Sequence, residues 1–537
     1  MRQTTTHTKS PRMRLCAALL ALCLFCVPVP SSATTSANGI DSLMLSIVLS
    51  EDAVLSPLTL RERDAHNLFS LCYEGLVKLD DSERPTNEGL AERWDAPTGD
   101  GSRWRFYLRP GVTFHNGKPL TAQDVCATLD YIFRDVAQYD ENGKTTIEQE
   151  EDRGVHGNLI AYIRPYSWKA VDDTTLEINS ARNYYGFLNA MTFPVLPAEE
   201  VGQPMPSGTG PYQIAEYIPG NRIWLTAYAD WWKPLANVRN IMAYIYPDTT
   251  QALAAFDSGV VSATMTRSLD ATRYFGSLNS FSISYRTRQL ETLLMYSNDT
   301  LGDPNVRRAI ALAIDRSALV QQVYQNMATP VSTPIAPGTW LYDEAASADM
   351  YNPTRARALL AEAGWIPNAE GVCTKNIAGE PSELSFTLMT YEEPNSSVRR
   401  SAAYLIQEML AVIGVKVTVN VVSRTLVQQR LSAGNFSMVL CGMNMDVVPD
   451  FGFLTITGYN SSRFEDDALN KHMREVVRGA VDENAYRQAM ADLQRMCIDK
   501  VPFISLYYRT GALITRDTFT AVRTPREREL LRGIESW

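Results

Sequence analysis

The amino-acid sequence predicts a mixed α/β protein in which helices and short strands alternate along nearly the whole chain. Three observations carry this expectation. Amphipathic stretches of helical period recur, residues 306–324 and 482–497 being the longest. Short runs such as residues 104–108 alternate with period two, as half-buried strands do. Residues 384–389, 398–413 and 415–422 read as strand, helix and strand, with Gly414 closing the helix, which is a β–α–β unit.

The elements follow in order. Residues 64–79 read as a helix running into a short strand. The strand at 104–108 is ended by Pro110-Gly111. Thr121 is a suitable N-cap, with Asp124 three residues on, for a helical run over 125–133. Residues 138–157 are polar and charged and are expected to form an exposed insertion. Strands are expected at 174–178 and 222–227. One continuous helix is expected over 306–324, and another over 353–363, stopped by Gly364. Asp482 caps the last long helix, and a late strand occupies 503–508. No internal repeat is visible.

The chain has 537 residues, 45% hydrophobic and 20% charged, which excludes collagen-like, coiled-coil and wholly disordered classes. Its net charge of -10 argues against nucleic acid as a partner, because phosphates demand Lys and Arg. The start is different. Arg2, Lys9, Arg12 and Arg14 precede an apolar run over 15–29 and the small residues Ser31-Ser32-Ala33. This is the pattern of a secretory signal peptide cleaved near Ala33, its apolar core being too short to span a membrane. The mature chain is expected to start near Thr34 and to be exported and soluble. Cys23 follows Leu22 and Cys26 follows Phe25, whereas lipidation needs a small residue before the cysteine, so no lipid anchor is expected. Five cysteines remain beyond the signal (Cys72, Cys126, Cys373, Cys441, Cys497), widely spaced and mostly in apolar surroundings, as buried thiols are.

Catalytic signatures are missing. There is no nucleophile elbow, HExxH or dinucleotide fingerprint. Gly143-Lys144-Thr145 lacks the first glycine of a phosphate loop, since position 138 is Gln138. The histidines are scattered without ligand spacing, and no CxxC occurs. No catalytic residue, metal site or cofactor is expected, and the chain does not read as an enzyme.

One run is specific. It contains Tyr73-Glu74-Gly75-Leu76-Val77, Leu90-Ala91-Glu92-Arg93-Trp94, Trp104-Arg105-Phe106-Tyr107-Leu108-Arg109-Pro110-Gly111-Val112 and Phe114-His115-Asn116-Gly117-Lys118-Pro119-Leu120-Thr121-Ala122-Gln123-Asp124-Val125. It is followed by Gly208-Thr209-Gly210-Pro211-Tyr212, Asn305-Val306-Arg307-Arg308-Ala309, Ala363-Gly364-Trp365 and Pro502-Phe503-Ile504-Ser505-Leu506. The chain resembles the peptide/nickel (oligopeptide- and dipeptide-binding) family of extracellular solute-binding proteins of ABC importers. Most of these motif residues read as structural, so the signature argues the fold, and function must come from the cleft.

The resemblance implies a two-lobed periplasmic-binding-protein fold with a hinge. Lobe one covers about 40–283, with an inserted subdomain near 83–186; lobe two covers 284–506; and 507–537 returns to lobe one. It implies a periplasmic, monomeric protein that captures a small peptide or similar amine-bearing solute and delivers it to an inner-membrane permease with its ATPases. A ligand-presenting sensor is the alternative function. In peptide-binding relatives a cleft strand ends in an aspartate that receives the ligand's α-ammonium. The matching segment here is Val439-Leu440-Cys441-Gly442-Met443-Asn444-Met445-Asp446, which makes Asp446, Gly442, Asn444 and Met443 candidate ligand-binding residues. Asp450 is the alternative acceptor, because the following Asp-Pro is altered to Val447-Val448-Pro449-Asp450. Gly442, Asn444 and Asp446 share one strand face, and Gly442 would let a peptide backbone come close. In dipeptide-binding relatives an arginine that binds the ligand carboxylate stands where this chain has Glu392, a further candidate cleft residue, so that carboxylate clamp is not visible.

Overall fold

A computed structural model describes residues 41–133, 165–180, 184–298, 300–346, 351–393, 396–445, 447–456, 458, 460–516 and 523–537. The expected signal peptide, the expected insertion at 138–157 and Asp446 lie outside the described residues.

One 11-stranded mixed sheet runs through the molecule. Ten of its strands are β1 (Ser42–Val48), β2 (Tyr212–Ile218), β3 (Arg222–Ala227), β4 (Asn240–Tyr246), β5 (Ala263–Thr266), β6 (Phe281–Met295), β7 (Ser385–Tyr391), β8 (Lys416–Val422), β9 (Met438–Asn444) and β10 (Ile504–Thr515). Their order is β8-β7-β9-β6-β10-β5-β1-β4-β3-β2, with Ala328–Pro330 pairing β10 from the side. The first lobe is built on β1 to β5 and the second on β7 to β9. The long strands β6 and β10 belong to both and run antiparallel to each other through the middle. Their ladder is broken. Arg286 faces Thr510 and Leu290 faces Tyr508, so Thr287, Arg288 and Gln289 oppose Arg509 alone. Such a bulge bends the strand and re-aims its side chains.

The expected β–α–β unit is present: β7 and β8 pair in parallel, connected through the helix Val398–Val412, and Gly414 beyond it has φ 81°. The expected helix over 306–324 is two helices, Pro304–Ala313 and Arg316–Tyr324. Ile314 is extended, and the Asp315 carboxylate accepts the Ala318 N–H at 2.8 Å, so Asp315 starts a second helix instead of continuing the first. The apolar period is nearly unchanged across the break, which is why the pattern reads as one element. The late strand is also longer than its apolar run suggests, because β10 continues into the first lobe as far as Thr515.

A separate four-stranded antiparallel sheet (Ala91–Asp95, Arg103–Leu108, Thr175–Ser180, Pro165–Asp172) carries much of the family-like run. Trp104 stacks on Phe187 at 5.3 Å, and Phe106 and Phe114 are fully buried. These rings belong to a core that continues into Phe451, Tyr486 and Leu493 of the second lobe. Gly208 and Gly210 lie against the end of the helix Arg63–Cys72. A Cβ on Gly208 would come 1.9 Å from the Cys72 carbonyl oxygen, and one on Gly210 2.3 Å from that of Leu71. Both glycines are there for close backbone approach. At the end of the chain, Leu530, Leu531, Ile534 and Trp537 pack into one core with Leu43 and Leu45 of β1.

Candidate functional site in the interlobe cleft

Two adjoining cavities lie where the lobes meet. One is about 700 Å³ including its mouth. It is lined from the first lobe by Glu83 and Asn189, from the bulge by Arg286 and Arg288, and from the second lobe by Trp340, Asn444, Met445 and Asp450. The other is lined by Tyr73, Glu74, Gly75 and Thr192, and by Arg526 to Glu529 of the returning chain. Arg288 and Val447 line both and form the waist between them.

Antiparallel pairing of β9 with β6 positions the second-lobe wall, with Asn444 opposite Gln289 and Gly442 opposite Glu291. The chain then leaves the ladder. The Met445 N–H donates to the Arg288 carbonyl at 2.8 Å; Met445 lines the cavity shared with Asn444, and Val447 lines both. Asn444 is exposed at the wall of the cavity that Glu83 and Trp340 line, and Met443 pairs with buried Leu290 and packs against the apolar core.

Two expectations raised by the sequence need correction, and a third candidate is already occupied. The space above Gly442 is filled: a Cβ there would lie 2.4 Å from the Gln289 amide nitrogen, 2.8 Å from an Arg399 nitrogen and 2.9 Å from a Glu291 oxygen. Gly442 makes room for an internal ion pair, not for a ligand backbone. Glu392 is half exposed, pairs with Arg400 at 2.5 Å and lines neither cavity. Asp450 does line the same cavity as Asn444, but Arg478 binds it at 2.7 Å and it caps the Gly452 N–H at 2.8 Å, so its charge is already balanced within the protein.

The cavity residues missed in the sequence are Glu74, Glu83, Arg286, Arg288 and Trp340. Glu74 is buried and accepts from the Trp232 indole N–H at 2.9 Å, while its Oε1 has no partner among the described residues. Burial pushes its carboxyl above the ordinary range, against the pull of Lys78. Glu83 goes the other way: burial opposes ionisation, but Arg288 and Arg286 hold its carboxyl below the ordinary range. A usable signal is the placing of arginines at 286 and 288 within a strand whose later half is apolar.

Among the described residues no group of three or more His, Cys, Asp or Glu is arranged to hold a metal ion, and no helix is long and apolar enough to cross a membrane.

Comparisons with known proteins agree with this architecture. Residues 86–464 match the model of the bacterial extracellular solute-binding proteins, family 5. The chain is 24% identical over 510 residues to an oligopeptide-binding protein, AppA, of Bacillus subtilis, covering 91% of this chain and 90% of that one. It is 24% identical over 483 residues to a dipeptide-binding protein of Escherichia coli, covering 82% and 84%. The crystal structure of the ABC transporter substrate-binding protein CtaP from Listeria monocytogenes superposes with a TM-score of 0.73 at 21% identity, covering 92% of this chain and 98% of that one. The chain is a solute-binding protein of an ABC importer and not an enzyme, and it belongs to the bacterial extracellular solute-binding proteins, family 5.

Proposed function

We propose that this protein captures a small peptide, or a similar amine-bearing polar solute, in the interlobe cavities and delivers it to an inner-membrane ABC permease with its ATPases. The observation that carries this reading is the cleft wall at Asn444, Met445 and Val447. There the chain leaves the β6 ladder and lines one cavity with Glu83 of one lobe and Trp340 of the other, and Val447 reaches the second cavity as well. Polar and aromatic groups converging from two lobes suit a solute that is enclosed on closure, when water is removed from its contacts.

Asp446, between Met445 and Val447, is the proposed acceptor for the solute's ammonium group, with Asn444 beside it. Met443, Gly442 and Glu392 carry no role in this reading. The protein works in the periplasm as a monomer, after cleavage near Ala33 and without a lipid anchor.

Small molecules released from the purified protein by denaturation and identified by mass spectrometry should include peptides or amines. Calorimetry with the species found should show Asp446→Ala losing roughly 2–5 kcal/mol of binding, the usual cost of truncating one partner of a desolvated charge pair. Unchanged affinity in Asp446→Ala would remove this residue from the site.

A further inference from the structure

We propose that Arg288 receives a carboxylate of the bound solute, so that the protein selects ligands bearing a free acid group. This rests on the reading that the cleft holds the ligand.

The bulge puts Arg288 in an unusual position. Its backbone is fixed on both sides: its N–H donates to a Glu527 carboxylate oxygen, and its carbonyl accepts from Met445 at 2.8 Å. The side chain projects to the waist shared by the two cavities. A solute occupying either chamber passes within reach of it.

The neighbouring arginines are engaged. Arg286 donates to Glu83 at 2.6 Å and to the Pro337 carbonyl at 2.7 Å. Arg478 makes three hydrogen bonds to Asp450. Arg526 donates to the carbonyls of Leu79 and Asp80 and pairs with Glu529. Arg288 differs. Among the described residues its guanidinium makes no hydrogen bond or ion pair within the protein, and its Nε is buried with no acceptor. A buried charged donor without a partner is costly, and a ligand group that completes it removes that cost. The guanidinium fork fits a carboxylate with two parallel hydrogen bonds, which no ammonium and no amide can accept in the same way. Glu83 attracts Arg288 through space, but its carboxylate is bound by Arg286 at 2.6 Å and that of Asp450 by Arg478 at 2.7 Å, and neither makes an ion pair with Arg288.

The test uses a casein hydrolysate in two forms, untreated and with every carboxylate converted to its methylamide. Each is offered to the mature wild-type protein, Arg288→Gln, Arg288→Lys and Asn444→Trp, and retained peptides are counted by native mass spectrometry. The wild type should retain acid forms over methylamides by about tenfold or more. Arg288→Gln should lose this preference, and Arg288→Lys should keep part of it, because the charge survives without the fork. Equal retention of acids by the wild type and Arg288→Gln would overturn the role of Arg288 and leave the cleft reading standing. Wild-type retention of acids by Asn444→Trp, whose indole obstructs the cavity lined by Glu83, Trp340 and Asn444, would overturn the reading that this cavity holds the ligand.

Discussion

Glu291 and Arg399 form an ion pair closed off from water. An Nη of Arg399 lies 2.7 Å from one Glu291 oxygen, Nε lies 3.2 Å from the other, and the side chains are 0% and 1% exposed. Glu393 and Arg509 extend the pair into a four-membered network, with Arg399–Glu393 at 3.1 Å and Arg509 within 2.8 Å of both carboxylates. Burial opposes charge on both arginines, yet Glu291 holds their pKa above the ordinary guanidinium value. The network ties β6 and β10, the two strands that join the lobes, to the helix Val398–Val412 of the second lobe.

Removing one carboxylate should therefore hurt more than removing a pair. Glu291→Gln leaves two buried arginines facing Glu393 alone and should cost about 3–5 kcal/mol. Replacing Glu291 and Arg399 together by leucine removes charge of both signs and should recover part of that loss. Urea unfolding monitored by circular dichroism checks this. A single Glu291→Gln variant with a wild-type midpoint would show that the network contributes nothing to stability.

A second prediction concerns acid. His115 is held neutral by geometry: its Nδ1 accepts the Gly208 N–H at 3.2 Å, and its Nε2 donates to the Gly210 carbonyl at 3.1 Å. Burial pushes its pKa down from 6.5 to about 4. The unfolded chain takes up the proton near pH 6.5 while the folded one resists it until about pH 4. Stability from this site is thus present above pH 6.5, is lost as pH falls towards 4, and is level below that. The full loss is roughly 3 kcal/mol. His115→Gln should be less stable at pH 7 and should show a shallower decline between pH 6.5 and 4. A decline as steep as that of the wild type would assign the acid sensitivity to another group.

The fold is largely legible in the sequence because its signals are local. The period of 398–412, its closing Gly414 and the flanking apolar runs specify a β–α–β unit with no knowledge of the remaining chain. The site is less legible because its partners are remote. Gly442 reads as a ligand contact from its strand face alone, but the face is covered by Glu291 and Arg399, which come from β6 and a helix, and no pattern within 439–446 announces them. Glu392 is placed in the cleft only by alignment through its neighbours, and its partner Arg400, in the first turn of the following helix, takes it to the surface. Arg288 depends on a bulge, which is a mismatch between two strands far apart in sequence.

The thiols give a third prediction. Cys72, Cys126, Cys373, Cys441 and Cys497 are all free and buried. Burial pushes Cys126 up to about 11 and Cys441 and Cys497 up to about 12. Few thiolates exist near pH 8, and reagent access is poor. Ellman's reagent should titrate almost no thiol in the native mature protein and five in denaturant. Fewer than five in denaturant, without reductant, would reveal a disulfide.

The last prediction concerns the contacts that hold the lobes together. Arg84 and the Tyr185 hydroxyl both reach Glu483, at 2.9 Å and 3.1 Å. The Tyr185 ring meets Trp340 edge-on at 5.7 Å and lies 6.1 Å from Tyr486, and the Trp340 backbone N–H donates to the Ser82 carbonyl at 2.9 Å. Arg84 and Glu483 are partly exposed, so water screens them and Glu483→Ala should cost at most about 1 kcal/mol of closure. The rings are different, because opening would return their apolar faces to water. Tyr185 lines neither cavity, so Tyr185→Ala acts on closure and not on the ligand. Two ring pairs at about 0.5–1.5 kcal/mol each put the loss at roughly 1–3 kcal/mol. Only the closed form touches the ligand with both lobes, so apparent affinity should fall by about fivefold to a hundredfold. Small-angle scattering should show a larger radius of gyration for Tyr185→Ala than for the wild type at the same ligand concentration. Wild-type affinity together with wild-type scattering would mean that closure is governed elsewhere, in the strands β6 and β10 themselves.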